Sequence, residues 1–289
     1  MIKQSIFRVF CAGLLASLAP LVHSSQLIGI EFTVAPTSLY DIDASTGAAT
    51  TLAPIPFFGS GLAYDPGRRI YYASDPALDI LYAIDPVTYG ATRLVGGFNF
   101  GALAYDAFTD TLYAAANDSP RGVFEILAVD AATLDIRNLG NPSIGFINAL
   151  GFDTDERALY GIGVGDDFVR FDDLSNLNAK TRISELRSQG FGLVAALTYD
   201  PDGERFLASA TNQPFRSLLS IDPRSGTAEP IGPHGQGNVS FRGLAMVVSE
   251  SRSPVFEPPS HLLVILGLLG LGHARRCRRR ARARTNLAH

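Results

Sequence analysis

Short apolar segments alternate with turn residues through most of this chain, and the pattern repeats. In one recurrent segment, two apolar residues and a variable residue precede an apolar residue and an aspartate. This segment ends at Asp43, Asp85, Asp130, Asp172 and Asp222, at intervals of 42, 45, 42 and 50 residues. Period-two alternation predicts half-buried strands, and no helical period runs through residues 26–248. A repeat of some forty residues built from short strands is typical of a β-propeller, with one four-stranded blade per repeat.

Two further motifs alternate with the first and predict the other strands of each blade. One motif ends in aromatic-Asp and occupies residues 61–65, 102–106, 149–153 and 196–200; the other occupies 70–73, 112–115, 159–162 and 206–209. The third repeat predicts strands at 149–153, 158–164, 168–172 and 179–186. Asp-Pro-Gly at 65–67 and Asp-Pro-Asp-Gly at 200–203 favour tight reversals between successive strands.

The number of blades follows from the two ends of the repeat region. Four blades are complete, and residues 242–248 match the first-strand motif of a fifth. Residues 26–32, 39–43 and 50–53 supply its other three strands. The sequence therefore predicts an all-β, five-bladed propeller over 26–248, with N- and C-terminal strands closing one blade. Such closure leaves no free sheet edge to aggregate.

The first 25 residues have the order of a secretory signal peptide. Lys3 and Arg8 precede an apolar stretch from 9 to 22, and the small residues Ser24 and Ser25 follow it. We therefore expect export through the inner membrane. The two cysteines, Cys11 and Cys277, lie outside 26–248, so the propeller has no disulfide and its stability depends on burial.

The C-terminal end has three parts: a linker at 249–260, a short apolar segment at 261–274 and a basic tail at 275–289. The tail carries Arg275, Arg276, Arg278, Arg279 and Arg280. Arginines that follow an apolar segment favour the cytoplasmic side, which places the rest of the chain outside. The segment is shorter than the roughly 20 residues of a lasting span, so we expect a transient anchor.

This layout resembles the PEP-CTERM sorting signal of Gram-negative bacteria. Glu257 and Pro258 match the second and third positions of its Pro-Glu-Pro motif, with Phe256 in the first position and Pro259 after it. The resemblance implies recognition by an exosortase-type membrane protease, sorting to the cell surface, and association with exopolysaccharide or biofilm. A plain tail anchor with a stop-transfer cluster is the alternative.

Charge narrows the choice of partners. Residues 26–256 hold 15 Lys and Arg against 27 Asp and Glu, a net charge of −12. An acidic body disfavours nucleic acid, because binding phosphates requires a basic surface.

The recurrent aspartates have two interpretations, catalytic and structural. An Asp at a strand end can accept hydrogen bonds from the next backbone N–H groups, and a residue found in every blade suits that structural role. The recurrent aromatics predict packing between blades, with ligand stacking as the alternative; they are Tyr64, Tyr105, Phe152 and Tyr199.

Three features break the repeat. The pairs Asp166-Asp167 and Asp172-Asp173 could hold Ca²⁺ or form a solvated turn. His234 is the only histidine between 26 and 256, so a site built on several histidines is excluded. The segment 175–192, with Lys180, Arg182 and Arg187, is predicted to be the longest irregular insertion and a possible binding loop.

The sequence assigns no catalytic, cofactor or metal residue. It predicts an exported, surface-sorted propeller that binds a glycan or surface protein of the matrix, or serves a structural role, without catalysis. The alternative is a secreted hydrolase or lyase that acts on a small ligand at the channel mouth, with Ca²⁺ assisting. That alternative requires an asymmetric cluster of carboxylates with a perturbed acid in a cleft.

Overall fold

The described part of the chain folds into five antiparallel four-stranded sheets arranged as a five-bladed β-propeller. The structure is a computed structural model that describes residues 25–31, 36–118, 123–212, 216–235 and 239–248. We number the strands along the chain and the blades in the order of their first complete sheet.

Each of the first four blades is one continuous stretch of chain. Blade 1 contains β4 (Leu62–Asp65), β5 (Ile70–Asp75), β6 (Ile80–Ile84) and β7 (Ala91–Gly96). Blade 2 contains β8 (Asn99–Asp106), β9 (Thr111–Asp118), β10 (Val123–Asp130) and β11 (Ile136–Gly140). Blade 3 contains β12 (Ala149–Asp153), β13 (Ala158–Ile162), β14 (Asp167–Phe171) and β15 (Lys180–Glu185). Blade 4 contains β16 (Gly192–Asp200), β17 (Arg205–Asn212), β18 (Ser217–Ile221) and β19 (Ala228–Pro233).

Blade 5 joins the two ends of the described chain, as predicted. It contains β1 (Gln26–Glu31), β2 (Thr37–Ile42), β3 (Ala49–Ile55) and β20 (Phe241–Val247). Its strand order is β20-β1-β2-β3, and β20 pairs with β1 from Gln26 opposite Val247 to Ile30 opposite Gly243. The backbone of the ring is therefore closed by hydrogen bonds between distant parts of the sequence.

The strands predicted for the third repeat are confirmed with small shifts at their ends. β12 has the predicted bounds, while β13 ends at Ile162 rather than at residue 164. The reason is a tight turn, in which the Asp166 N–H donates to the carbonyl of Gly163 and the Gly163 N–H donates to that of Asp167.

The first hairpin of each complete blade uses the same turn. An aspartate ends the inner strand, and the fourth residue after it is left-handed. These residues are Arg69, Asp110, Arg157 and Glu204, with φ values of 54°, 55°, 55° and 48°. A single left-handed residue after a type I turn matches the twist of the strands it joins. The turn thus holds four equivalent aspartates in one backbone setting.

The core consists of five apolar clusters, one at each junction between neighbouring blades. At the junction of blades 3 and 4, for example, Tyr160 and Phe168 pack against Phe206, with ring centroids 4.7 and 5.7 Å from it. Burial of a large apolar side chain contributes roughly 1.5–3 kcal/mol. Each blade is therefore stabilised mainly by its two neighbours.

The inner strands of neighbouring blades lie very close to one another. A Cβ on Gly243 would lie 2.4 Å from the backbone nitrogen of Leu62, and one on Gly61 would lie 2.2 Å from the carbonyl oxygen of Gly101. Both contacts are with backbone, which cannot rotate away. Glycine at these two positions lets blade 5 contact blade 1 and blade 1 contact blade 2.

Residues 1–24 and 249–289 lie outside the described residues, and with them the predicted signal peptide up to Ser25, the linker, the apolar segment and the basic tail. Within the described ranges, no helix has the length and apolarity needed to span a bilayer.

Candidate functional site

The central channel is lined by the inner strands β4, β8, β12, β16 and β20. The same apolar residue recurs in each, as Leu62, Leu103, Leu150, Leu197 and Leu244. These leucines and the turn residues Pro66, Ala107 and Pro201 line a cavity of about 110 Å³. At this end the channel therefore offers a small, mainly apolar cavity rather than a polar cleft.

The recurrent aromatics lie one layer further along the same strands and belong to the blade junctions, as predicted. Tyr105 packs against Tyr72 of blade 1 and Phe152 against Tyr113 of blade 2, with centroids 5.9 and 6.1 Å apart. Met246 takes the equivalent place in blade 5. Two of the aromatics also reach carboxylates: the Tyr105 hydroxyl donates to Asp110 over 2.6 Å, and that of Tyr199 to Asp155 over 2.7 Å.

We call the turn between the third and fourth strands of a blade its outer turn. The structural interpretation holds for the outer-turn aspartates of four blades. In these residues Oδ1 accepts the N–H groups two and three residues later, and the pKa of each carboxyl is lowered mainly by hydrogen bonds from its own turn; they are Asp43, Asp85, Asp130 and Asp222.

Blade 3 departs from that pattern by one residue. Asp172, which the repeat assigned to the turn, instead accepts hydrogen bonds from Arg170 Nε and Thr181 Oγ1 over 2.8 and 2.7 Å. Asp173 takes the turn role, accepting the Ser175 N–H and hydroxyl. The outer turn of blade 3 is therefore longer, which explains the doubled aspartate.

The inner-turn aspartates, which end the inner strands, also accept hydrogen bonds from the backbone of their own turns, but only through one oxygen. Their Oδ1 atoms accept backbone N–H groups of the turn at 2.8–3.3 Å; the residues are Asp65, Asp106, Asp153 and Asp200. All four are almost fully buried. The second oxygen therefore needs a partner from outside the turn backbone, and the blades differ in what they provide.

Three blades supply that partner. In blade 1, Arg68 Nη1 lies 2.7 Å from Asp65 Oδ2. In blade 2, the Thr109 hydroxyl donates to Asp106 Oδ2 over 2.6 Å. In blade 4, Arg205 Nε lies 3.1 Å from Asp200 Oδ2.

Blade 3 does not supply it. Asp153 Oδ2 is buried and has no hydrogen-bond partner among the described residues. Burial raises the pKa of Asp153, and the nearby carboxylates of Glu156 and Asp155 raise it further against the lowering effect of the turn N–H groups. Where blade 1 has Arg68, three residues after the aspartate, blade 3 has Glu156.

Asp153 lines a cavity of about 320 Å³ between blades 3 and 4, which we call the acidic pocket. Its other lining residues are Asp155, Glu156, Tyr199, Glu204, Asp222, Pro223 and Arg224. Five carboxylates therefore face one guanidinium. Arg224 is 83% exposed and approaches Glu156 at 3.5 Å. The pocket adjoins the channel mouth, since Tyr199 lines both.

The doublets Asp166-Asp167 and Asp172-Asp173 do not come together in one cage. Asp166 is buried, and its two oxygens meet the Val194 N–H at 3.0 Å and Arg187 at 3.3 Å. Asp167 pairs with Arg182 at 2.6 Å. Across the described ranges, no set of three His, Cys, Asp or Glu side chains is arranged to hold a metal ion.

The strand predicted at 179–186 within segment 175–192 is confirmed, whereas the prediction of a long irregular insertion there is wrong. The segment contains β15 and a short 3₁₀ helix, Leu186–Gln189. Gln189 donates to the carbonyl of Gly226 and accepts the Ala228 N–H, at 2.9 and 2.8 Å. Through Gln189 the segment attaches blade 3 to blade 4, while Arg182 and Arg187 pair with Asp167 and Asp166 of blade 3.

His234 is buried at the junction of blades 4 and 5. Its Nε2 lies 3.0 Å from the hydroxyl of Ser209, which is itself fully buried, and its Nδ1 lies 3.4 Å from the Gly47 carbonyl. Burial lowers the pKa of His234 to about 4. A neutral imidazole held between a hydroxyl and a carbonyl is a packing element, and Ser209 is not accessible to a substrate.

None of the predicted sites included the acidic pocket. The signal was present in the turn sequences, because the residue three positions after the aspartate is Arg68, Thr109, Glu156 or Gly203. The predicted sorting residues lie outside the described ranges; they are Phe256, Glu257, Pro258, Pro259 and the arginines at 275, 276, 278, 279 and 280.

Comparison with known proteins bears on the fold. No protein-family model and no curated protein matches the chain. It is similar to a chain in the crystal structure of a nidogen/laminin complex, with a TM-score of 0.52 and 15% identity over 78% of this chain and 99% of that one. It is also similar to TolB from Acinetobacter baumannii, with a TM-score of 0.50 and 16% identity over 72% of this chain. The match spans 53% of the TolB chain. At this identity, both establish a propeller fold.

Proposed function

We propose that this protein is an exported β-propeller, sorted to the cell surface or extracellular matrix, where it binds a partner without catalysing a reaction. The observation that carries the binding role is the position of the carboxylate groups in the ring. Leucines line the channel, whereas Asp153, whose Oδ2 is buried without a hydrogen-bond partner among the described residues, is one of five acidic residues that line a pocket between two blades. Such a pocket is suited to recognition from the face of the ring.

The form of the scaffold supports the same role. Five junction clusters and a closed ring provide a rigid platform whose turns can vary without loss of the core. A propeller fold like this one is found in a protein–protein complex, that of nidogen with laminin. By analogy, a surface protein of the matrix is a suitable partner.

The sorting role rests on the sequence of the two ends. A signal peptide at 1–25 would export the chain, and the motif at Phe256–Pro259 with the arginine tail would bring it to an exosortase-type protease. Removal of the tail would then release the propeller or attach it at the surface, in contact with exopolysaccharide.

The test of sorting is the intact mass of the protein from medium and membranes of its native host. We compare the wild type with Glu257→Ala and, as a charge-matched control outside the motif, Glu250→Ala. The proposal expects the wild type and the control to lose everything after about residue 258, and Glu257→Ala to keep its tail in the membrane. Retention of the arginine tail by all three would leave a plain anchor and overturn the sorting role.

A further inference from the structure

The acidic pocket has a counterpart at the junction of blades 1 and 2 that contains a bound guanidinium. There Arg68 Nη1 lies 2.7 Å from Asp65 Oδ2, and its Nη1 and Nη2 lie 2.6 and 2.7 Å from the two oxygens of Asp110. The Tyr105 hydroxyl donates to the same Asp110 carboxylate. A fork held by two carboxylates is the geometry that guanidinium groups prefer.

Residue for residue, the junction of blades 3 and 4 repeats the carboxylates of that site. Asp153 occupies the position of Asp65 at the end of the inner strand. Glu204 occupies that of Asp110, the left-handed fourth residue of the next blade's turn, with φ of 48° against 55°. Tyr199 occupies the position of Tyr105 on the neighbouring inner strand. The two carboxylates and the tyrosine of the guanidinium site thus have counterparts at the acidic pocket, where the Tyr199 hydroxyl donates to Asp155 rather than to Glu204.

The intramolecular guanidinium is what differs. Glu156 replaces Arg68, and its carboxylate pairs with Arg170 at 3.4 Å and Arg224 at 3.5 Å. Asp153 is one of the residues that line the cavity, and its Oδ2 is buried without a hydrogen-bond partner among the described residues. A buried carboxylate oxygen without a donor costs free energy that an incoming donor recovers.

We propose that the acidic pocket binds a guanidinium group, which takes the place that Arg68 fills between blades 1 and 2. The group comes from an arginine side chain of a partner protein or from a small guanidinium compound. This deepens the binding role proposed above by naming the chemistry of the partner. It does not depend on how the C-terminal tail is processed.

The size of the pocket favours this ligand over a single ion. The cavity of about 320 Å³ is lined by turns from β12–β13, β16–β17 and β18–β19, so its carboxylates approach from different sides. A planar group with five N–H donors can reach several such oxygens at once, whereas an ammonium group is a compact point charge.

The test measures binding of blocked arginine, N-acetyl-arginine amide, to purified full-length protein by ligand-observed NMR. N-acetyl-lysine amide and N-acetyl-citrulline amide are the matched probes, because one keeps the charge without the fork and the other keeps the shape without the charge. Agmatine distinguishes the two sources. Equal or tighter binding of blocked arginine points to a peptide side chain, and preference for agmatine points to a small compound.

Three variants locate the site. Glu204→Gln removes one pocket carboxylate at an exposed position and should weaken arginine binding about tenfold. Asp202→Asn makes the same change of charge on the same turn outside the pocket and should leave binding unchanged. Glu156→Arg restores the residue type of blade 1, so its own side chain should occupy the site and abolish binding.

We expect the arginine probe to bind in the millimolar range and more tightly than the lysine and citrulline probes. Glu204→Gln should weaken this binding, and Glu156→Arg should abolish it. No binding by the folded wild type, equal binding of lysine, or equal weakening by Asp202→Asn would overturn the proposal. Tighter binding of CaCl₂ that is abolished by Glu204→Gln would overturn it in favour of a metal site. Normal tail processing alongside any of these results would leave the sorting role intact.

Discussion

Two junctions of this propeller have the same backbone arrangement but carry opposite charges at one equivalent position. Between blades 1 and 2, Arg68 holds Asp65 and Asp110 together in an ion-pair network. Between blades 3 and 4, Asp153 and Glu204 occupy the equivalent positions around the acidic pocket, and Glu156 replaces the arginine. The first junction provides a hydrogen-bond partner for its buried carboxylate oxygen, whereas the second provides none among the described residues.

The comparison separates what the repeat needs from what it leaves free. Every complete blade uses Oδ1 of the inner-turn aspartate to fix the turn. The partner of Oδ2 varies between arginine, threonine and none, while the turn keeps its left-handed fourth residue. The fold therefore fixes the role of Oδ1, whereas the partner of Oδ2 can differ from blade to blade.

Copying blade 3 into blade 1 should have the largest effect. Arg68→Glu leaves the buried Asp65 without its cation and adds a negative charge beside Asp110. We expect a loss of about 3 kcal/mol, at the low end for a broken buried pair because Arg68 is 34% exposed. For a domain of this size, the melting temperature should fall by about 9 °C.

The control for this change is Arg69→Glu, which makes the same change of charge on the exposed neighbour. Glutamate tolerates the left-handed backbone there, as Glu204 does at φ 48°. Thermal unfolding of the full chain should show little change for the control. Equal destabilisation by both variants would mean that net charge, and not the Arg68 network, sets stability.

Neutralising the equivalent aspartates should shift stability in opposite directions. Asp65→Asn removes an acceptor of Arg68 and should cost about 2 kcal/mol at pH 7. Asp153→Asn keeps an oxygen for the turn N–H groups and removes an unpaired buried charge, so it should gain about 1 kcal/mol. Chemical denaturation of both variants measures this difference. Destabilisation of both by similar amounts would show that Asp153 Oδ2 has a stabilising partner in solution.

The two junctions should also respond oppositely to acid. Because the pKa of Asp153 is raised in the folded state, its ionisation opposes folding. That penalty is absent below about pH 3.8 and grows as pH rises through the folded pKa. Hydrogen bonds from Arg68 and Tyr105 lower the pKa of Asp110 to about 2, so its contribution is present above the unfolded pKa and is lost as pH falls towards 2.

Melting temperatures between pH 3 and 7 measure both trends. The advantage of Asp153→Asn over the wild type should vanish near pH 3.5, whereas the disadvantage of Asp110→Asn should be constant above about pH 5 and shrink below pH 4. A pH-independent difference for Asp153→Asn would mean that its carboxyl group has an ordinary pKa.

Most of the fold could be predicted from the sequence because its determinants are local. Alternation specifies each strand, and the aspartate with its turn specifies each hairpin. The closing blade followed from counting motifs, and the pairing of β20 with β1 confirms it. Strand ends near 163 were missed because the turn there depends on hydrogen bonds between Gly163, Asp166 and Asp167 rather than on residue type.

The acidic pocket could not be predicted in the same way, because it is defined by two blades at once. Asp153 comes from blade 3 and Glu204 from blade 4, 51 positions later in the chain. The doubled aspartates at 166–167 and 172–173 attracted attention as a cluster, yet the fold gives each its own partner. The doubled aspartate at 172–173 therefore reflects a longer turn. The sequence signal for the pocket is a single residue, Glu156, at the position that Arg68 occupies in blade 1.

The smallest expected effects concern two tyrosines, one at each of the two junctions. Tyr105→Phe removes a hydrogen bond to Asp110, which keeps its two contacts with Arg68. Tyr199→Phe removes the 2.7 Å hydrogen bond to Asp155 in a pocket whose guanidinium, Arg224, lies beside Glu156 instead. We expect losses of about 0.5 and about 1 kcal/mol respectively in chemical denaturation. The Tyr105 hydrogen bond lies within blade 2, where Arg68 also holds Asp110, whereas the Tyr199 hydrogen bond joins blade 4 to blade 3, so we expect the larger loss for Tyr199→Phe. Equal losses, or a larger loss for Tyr105→Phe, would mean that the tyrosines act through ring packing and that the charge difference between the junctions does not reach them.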